Sequence, residues 1–147
     1  MKKKICVVLA NYYNDVTDLL VKGSTKQIQE AEFKGIIKKT YSSPHDIFLN
    51  VPGVFEIPVT ISKLISKYDA FVALGCVIKG ETPHFDLISK AVVNSIMDLS
   101  VKHKKPIGNG IITCLNKKQA LERADPKGKD IGGNAVLAVL KTLANFK

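Results

Sequence analysis

Paired cysteines, long apolar runs, arginine and low-complexity stretches are all scarce in this chain of 147 residues, and each scarcity argues against a class of protein. The three cysteines, Cys6, Cys76 and Cys114, are odd in number, far apart and without a CxxC pair. Neither a disulfide framework nor a zinc site is indicated, and all three read as reduced core residues. No stretch approaches the roughly 18 uninterrupted apolar residues of a membrane helix. The first apolar run, Ile5 to Ala10, falls short of the roughly 7 to 15 residues of a secretory signal core, so no signal peptide and a cytoplasmic location are expected. Internal repeats and Pro/Gly/Ser-rich linkers are also absent, which leaves residues 1–147 as one domain, long enough to bury about two thirds of its unfolded surface.

What is abundant is lysine. The net charge of +9 raises a nucleic-acid reading, but apart from Lys2 to Lys4 the lysines are scattered singly or in pairs, without interleaved aromatics or a binding motif. A positive field that concentrates a small anionic substrate accounts for the charge without a nucleic-acid partner. Among 22 lysines and arginines only Arg123 is an arginine. Its planar fork suits phosphate or carboxylate in a way an ammonium does not, although a chance surface arginine is the plain alternative.

Ile5 to Ala10 and Ala70 to Ile78 are nearly continuous apolar runs, the pattern of strands covered on both faces. Residues 47–51, ending at Pro52 and Gly53, and 107–113, following Pro106, supply two more strands. Helical periodicity marks residues 15–33, 56–67, 84–103, 117–124 and 134–146, whereas residues 34–45 fit neither pattern. Alternation of strand and helix predicts a three-layer α/β/α sandwich on a four-stranded parallel sheet, with ligands beyond the carboxyl ends of the strands.

The densest chemical signal follows the third strand: Gly75-Cys76-Val77-Ile78-Lys79-Gly80-Glu81-Thr82-Pro83-His84-Phe85. Thr82 is placed to cap the next helix and Pro83 to sit in its first turn, which would turn backbone N–H groups towards an anion such as phosphate. His84 then stands where the helix dipole opposes a second positive charge, a setting for a proton acceptor as well as for an ordinary solvated histidine. A second signal, Val51-Pro52-Gly53-Val54-Phe55-Glu56-Ile57-Pro58, ends the second strand; Phe55 offers a face to a flat heterocycle and Glu56 a carboxylate to its polar edge, or the ring simply packs in the core. The third, Asn11-Tyr12-Tyr13-Asn14-Asp15, ends the first strand and brings a further aromatic, Tyr12.

In this order, and with Tyr68-Asp69-Ala70, Gly110-Ile111-Ile112-Thr113 and Gln119-Ala120-Leu121-Glu122-Arg123-Ala124 added, the segments resemble the lumazine synthase family over nearly the whole chain. The resemblance implies a flavodoxin-like fold and the condensation of 5-amino-6-(D-ribitylamino)uracil with 3,4-dihydroxy-2-butanone 4-phosphate, with no cofactor and no metal. It implies that Tyr12 stacks on the pyrimidine and that Val54, Phe55, Glu56, Cys76, Val77 and Ile78 line the uracil and ribityl pocket. Gly80, Glu81, Thr82 and Arg123 would hold the phosphate, and His84 would transfer protons. Three departures stand out. Asn11 and Tyr13 replace the Arg and Asn that flank the stacking aromatic in many members. Asn109 replaces a phenylalanine often donated by a neighbouring subunit, and Ile131 replaces a frequent lysine, whose charge Lys127 or Lys129 would have to supply.

Two rival readings remain at this level: an aldolase-like site with Lys79 as Schiff-base nucleophile, and a flavodoxin-like module that binds flavin without catalysis. His45 and His103 have no part in any of these schemes. Leu87, Ile88, Ala91, Val92, Val93, Ile96, Met97 and Leu99 spread around the helix after His84, more than one sheet face requires, which predicts a second burial surface. The resemblance gives that surface a form, a pentameric ring with the active site between subunits and no membrane partner. The short stretch before the first strand favours free pentamers over icosahedral shells.

Overall fold

The computed structural model describes residues 2–43 and 46–146; His45 lies outside them. Four strands, β1 (Ile5–Ala10), β2 (Phe48–Val51), β3 (Ala70–Ile78) and β4 (Ile107–Cys114), form one sheet in the order β2-β1-β3-β4, every pair parallel. The five helices between and after them are α1 (Asn14–Phe33), α2 (Ile57–Leu64), α3 (His84–His103), α4 (Lys117–Ala124) and α5 (Ile131–Ala144).

Side-chain alternation along the strands makes three layers out of this order. Ile5, Val7 and Leu9 of β1, with Ala70, Val72, Leu74 and Cys76 of β3, pack against α1, α4 and α5. Cys6, Val8 and Ala10, with Phe71 and Ala73, point the other way, to Ile57 and Ile61 of α2 and Val92 and Ile96 of α3. All six residues of β1 are buried, which is why its sequence shows no alternation. The three cysteines are free and buried, and burial pushes the Cys6 and Cys76 thiols up to about 12.

Four sequence expectations are corrected. The strand expected over 47–51 begins at Phe48, and the helix expected over 56–67 is preceded by a single 3-10 turn, Val54–Glu56, and ends at Leu64. The helix expected at 134 starts at Ile131, because Asp130 takes a left-handed conformation (φ 45°) and its carboxylate accepts the Gly133 N–H at 3.2 Å. In the unassigned stretch after α1, Ile37 is buried and forms a parallel bridge with Lys3, closed by Lys3 N–H to Ile36 O at 3.2 Å and Lys38 N–H to Lys3 O at 2.8 Å.

Candidate active site

The sheet order reverses direction between β1 and β3, and in an open parallel sheet the loops diverging from such a point leave a crevice at the carboxyl ends. Here the crevice is a cleft of about 530 Å³ lined by Tyr12, Tyr13, Gly53, Val54, Phe55, Cys76, Val77, Ile78, His84 and Ile88. That volume lies within the range of small-molecule sites, roughly 300 to 1,000 Å³.

Each wall has a local cause. After β1 the chain turns into α1 with Tyr13 at the cap position, its carbonyl accepting the N–H groups of Val16 at 3.0 Å and Thr17 at 2.9 Å. After β2, Gly53 is extended (φ −154°) and its carbonyl accepts the Glu56 N–H at 3.2 Å, which tightens the turn that carries Val54 and Phe55. Val54 lies directly on β3 at Gly75, where a Cβ would come within 2.7 Å of Val54 Cγ1 and 3.2 Å of Ala10 Cβ. Gly75 thus lets the second loop close down on the third strand. Beyond it Cys76, Val77 and Ile78 form the floor, and Ile88 stands one turn after His84 on α3.

Within this cleft Tyr12 is 71% exposed and Phe55 63% exposed. Two rings left this open on a wall of otherwise covered apolar groups suit a flat heteroaromatic guest that would cover them. His84 is exposed, with its ring among the lining groups and its backbone N–H donating to Thr82 Oγ1 at 3.4 Å. Pro83, expected in the first helical turn, is itself the cap residue of α3, and its carbonyl accepts the Leu87 N–H at 3.2 Å. Thr82 reaches only the first N–H of the helix. Gly80, Glu81 and Thr82 are exposed, and the space where a Gly80 side chain would stand is empty to 4 Å.

Some expected site residues stand apart from this cleft. Glu56 turns to an adjoining hollow of about 330 Å³ between α2 and α3, which it lines with Phe55, Val59 and Ser95. Asn109 pairs in register with Ala73, well back from Cys76 along the sheet, and is exposed on the edge strand with its Oδ1 accepting the Ile111 N–H at 3.1 Å. Arg123 donates from Nη1 to the Thr113 carbonyl at 3.3 Å, beside the same edge strand. Ile131 opens α5 and packs on the core rather than facing the cleft. Lys79 is exposed, which removes the desolvation that a Schiff-base role needs. Tyr13, Gly53 and Ile88 line the cleft without having been singled out as site residues; for Ile88 the signal was its four-residue spacing from His84 on one helix face. Among the described residues no helix is long and apolar enough to cross a membrane, and no group of three or more His, Cys, Asp or Glu is placed to hold a metal ion.

An aromatic-walled hollow at the switch point of a parallel sheet, with an imidazole ring among its lining groups, is the architecture of small-molecule enzymes of the α/β class. Comparison with known proteins narrows the class to one family. Residues 2–147 match the model of 6,7-dimethyl-8-ribityllumazine synthase. The chain is 38% identical over 147 residues to 6,7-dimethyl-8-ribityllumazine synthase 1 of Rhodopseudomonas palustris, covering 95% of this chain and 83% of that one. It is 40% identical over 149 residues to the 6,7-dimethyl-8-ribityllumazine synthase of Bartonella tribocorum (98% and 91% covered), and 38% identical over 146 residues to that of Zymomonas mobilis (98% and 96%). This chain belongs to the 6,7-dimethyl-8-ribityllumazine synthase family.

Proposed function

We propose that this chain condenses 5-amino-6-(D-ribitylamino)uracil with 3,4-dihydroxy-2-butanone 4-phosphate to 6,7-dimethyl-8-ribityllumazine, with release of phosphate and water, in the penultimate step of riboflavin biosynthesis. The observation that carries this reading is the pairing of two open aromatic faces, Tyr12 and Phe55, over the Cys76–Ile78 floor in a member of this family. The uracil lies against the tyrosine, with Val54 and Phe55 along its ribityl side and Glu56 at its polar edge. The ketone phosphate places its phosphate at Gly80, Glu81 and Thr82, with Arg123 completing the charge.

Nucleophile and electrophile both belong to the substrates. The 5-amino group attacks the ketone with loss of water, the resulting imine eliminates phosphate, and the ribitylamino nitrogen closes the ring on the remaining carbonyl with loss of a second water. The protein's task is to hold two molecules in reactive geometry, which by itself accounts for a large part of such rate enhancements. His84 moves protons between substrate atoms, and Arg123 stabilises the departing phosphate. Lys79 has no role in this scheme, and the exposure of its ammonium disfavours the aldolase-like alternative. We assign the reaction to the cytoplasm.

The working form we propose is a ring-shaped pentamer. Only Val92 and Ile96 of α3 are buried, while Leu87 is 68%, Met97 61% and Val101 69% exposed, an apolar surplus that a neighbouring copy would cover. Asn109 and Arg123, set outside this chain's own cleft at the β4 edge, are then free to serve a neighbour's. Formation of lumazine from the two purified substrates, followed by absorbance or fluorescence, tests the reaction; no product over a range of conditions would overturn it.

A further inference from the structure

Tyr13 is the one aromatic among the three cleft residues, with Gly53 and Ile88, to which family resemblance gives no role, and its surroundings are specific. Its ring meets that of Tyr12 edge-on, with centroids 5.0 Å apart and planes at 84°. The Lys117 ammonium stands 5.1 Å from the Tyr13 ring centroid. The same ammonium is held by both carboxylate oxygens of Asp15, each at 3.0 Å. Asp15 lies in the first turn of α1 and Lys117 opens α4, 102 residues later, so the contact ties two helix starts together beside the cleft. The Lys117 hydrogen bond holds the Asp15 carboxyl below its ordinary range, and burial pushes the Tyr13 phenol up, with Lys117 opposing.

The physical need is plain. Tyr12 is largely exposed, and a free ring at the mouth of a cleft samples several rotamers, so a guest that stacks on it must first immobilise it. An edge-on neighbour removes part of that freedom, because the two rings keep their mutual geometry only in one rotamer pair. The neighbour is effective only if it is fixed itself, and a cation over its face, anchored by a carboxylate, fixes it. We propose that Asp15, Lys117 and Tyr13 act in series as positioning residues that hold the Tyr12 ring ready to stack, and so set the affinity for the uracil substrate. This rests on the proposed reaction, in which Tyr12 stacks on the pyrimidine.

Steady-state kinetics with each substrate varied in turn test it. Lys117→Met removes the cation at an exposed position, and Tyr13→Asn removes the ring; thermal melting of both checks that they fold. Each is expected to raise KM for the uracil about three- to tenfold, the scale of ordering one side chain on binding, and Lys117→Met, at a residue that does not line the cleft, to leave KM for the ketone phosphate nearly alone. Lys117→Arg, which keeps both the carboxylate pair and the cation over the ring, is expected to restore the uracil KM. An unchanged uracil KM in both variants, a parallel rise for both substrates in Lys117→Met, or a loss that Lys117→Arg fails to rescue overturns the proposal. Absence of product from the unsubstituted protein would instead overturn the reaction on which it rests.

Discussion

At the scale of single residues, the two groups given proton transfer and phosphate binding in the proposed reaction lie outside the core, His84 exposed and Arg123 half-buried beside the edge strand. His84 is exposed, so His84→Ala is expected to melt like the parent protein while kcat falls about a hundredfold or more, the usual contribution of one positioned proton carrier. An unchanged kcat would remove it from the mechanism. For Arg123 the informative change is the conservative one. Lysine keeps the charge but loses the fork, so Arg123→Lys should raise KM for the ketone phosphate by more than tenfold, at the roughly 1.5 to 3 kcal/mol of a charge-assisted bond, and leave the uracil KM nearly alone. Equal loss for both substrates would place Arg123 elsewhere. How far such residues were legible depended on whether their partners lay close in sequence. His84, Phe55 and Tyr12 stand in contiguous motifs at strand ends, so their place around one cleft followed from the strand order. The grip of Asp15 and Lys117 on Tyr13 could not be read, since it spans 102 residues and has no local pattern to announce it.

Among the elements, β1 and β3 were the easiest to read, with boundaries matching the apolar runs residue for residue, because strands buried on both faces admit no polar interruption. The opening of α5 was the hardest. Gly132 and Gly133 look like helix breakers, yet both lie inside the helix, where α1 approaches backbone to backbone at Gly132 and the capping Asp130 carboxylate closes over Gly133. A Cβ on Gly132 would stand 2.6 Å from the Leu20 carbonyl oxygen, an atom of another helix's main chain that cannot rotate aside. Gly132→Ala is therefore expected to destabilise the protein by about 1 to 3 kcal/mol despite alanine's better helix propensity, read as a lower denaturation midpoint in urea. A gain in stability would mean that the helices can part at small cost. Residues 34–43 escaped sequence reading for a different reason: a single bridge, Lys3 to Ile37, has no periodicity.

For the whole molecule the main question is what covers α3. If pentamers share their sites as proposed, light scattering coupled to size exclusion gives five chains per particle or a multiple of five. Equal mixing of His84→Ala with an Asn109 variant that is itself inactive, unfolded and refolded together, should then restore roughly a quarter of the sites, since each site draws one half from each of two subunits. A fully active monomer, or no recovery from the mixture, would refute sharing.

The order in which the chain is made adds a consequence of its own. Every residue lining the cleft, from Tyr12 to Ile88, is joined to the chain before β4, α4 and α5 are made. Until α5 arrives, Val72, Leu74 and Cys76 lack part of the cover that Ala135, Val136 and Val139 later provide. For several seconds, at roughly 5 to 20 residues per second, the nascent protein holds all of its cleft side chains on a sheet with one face covered by α1 alone. That interval, rather than the finished particle, is when the chain is most open to capture by a chaperone or by another nascent copy.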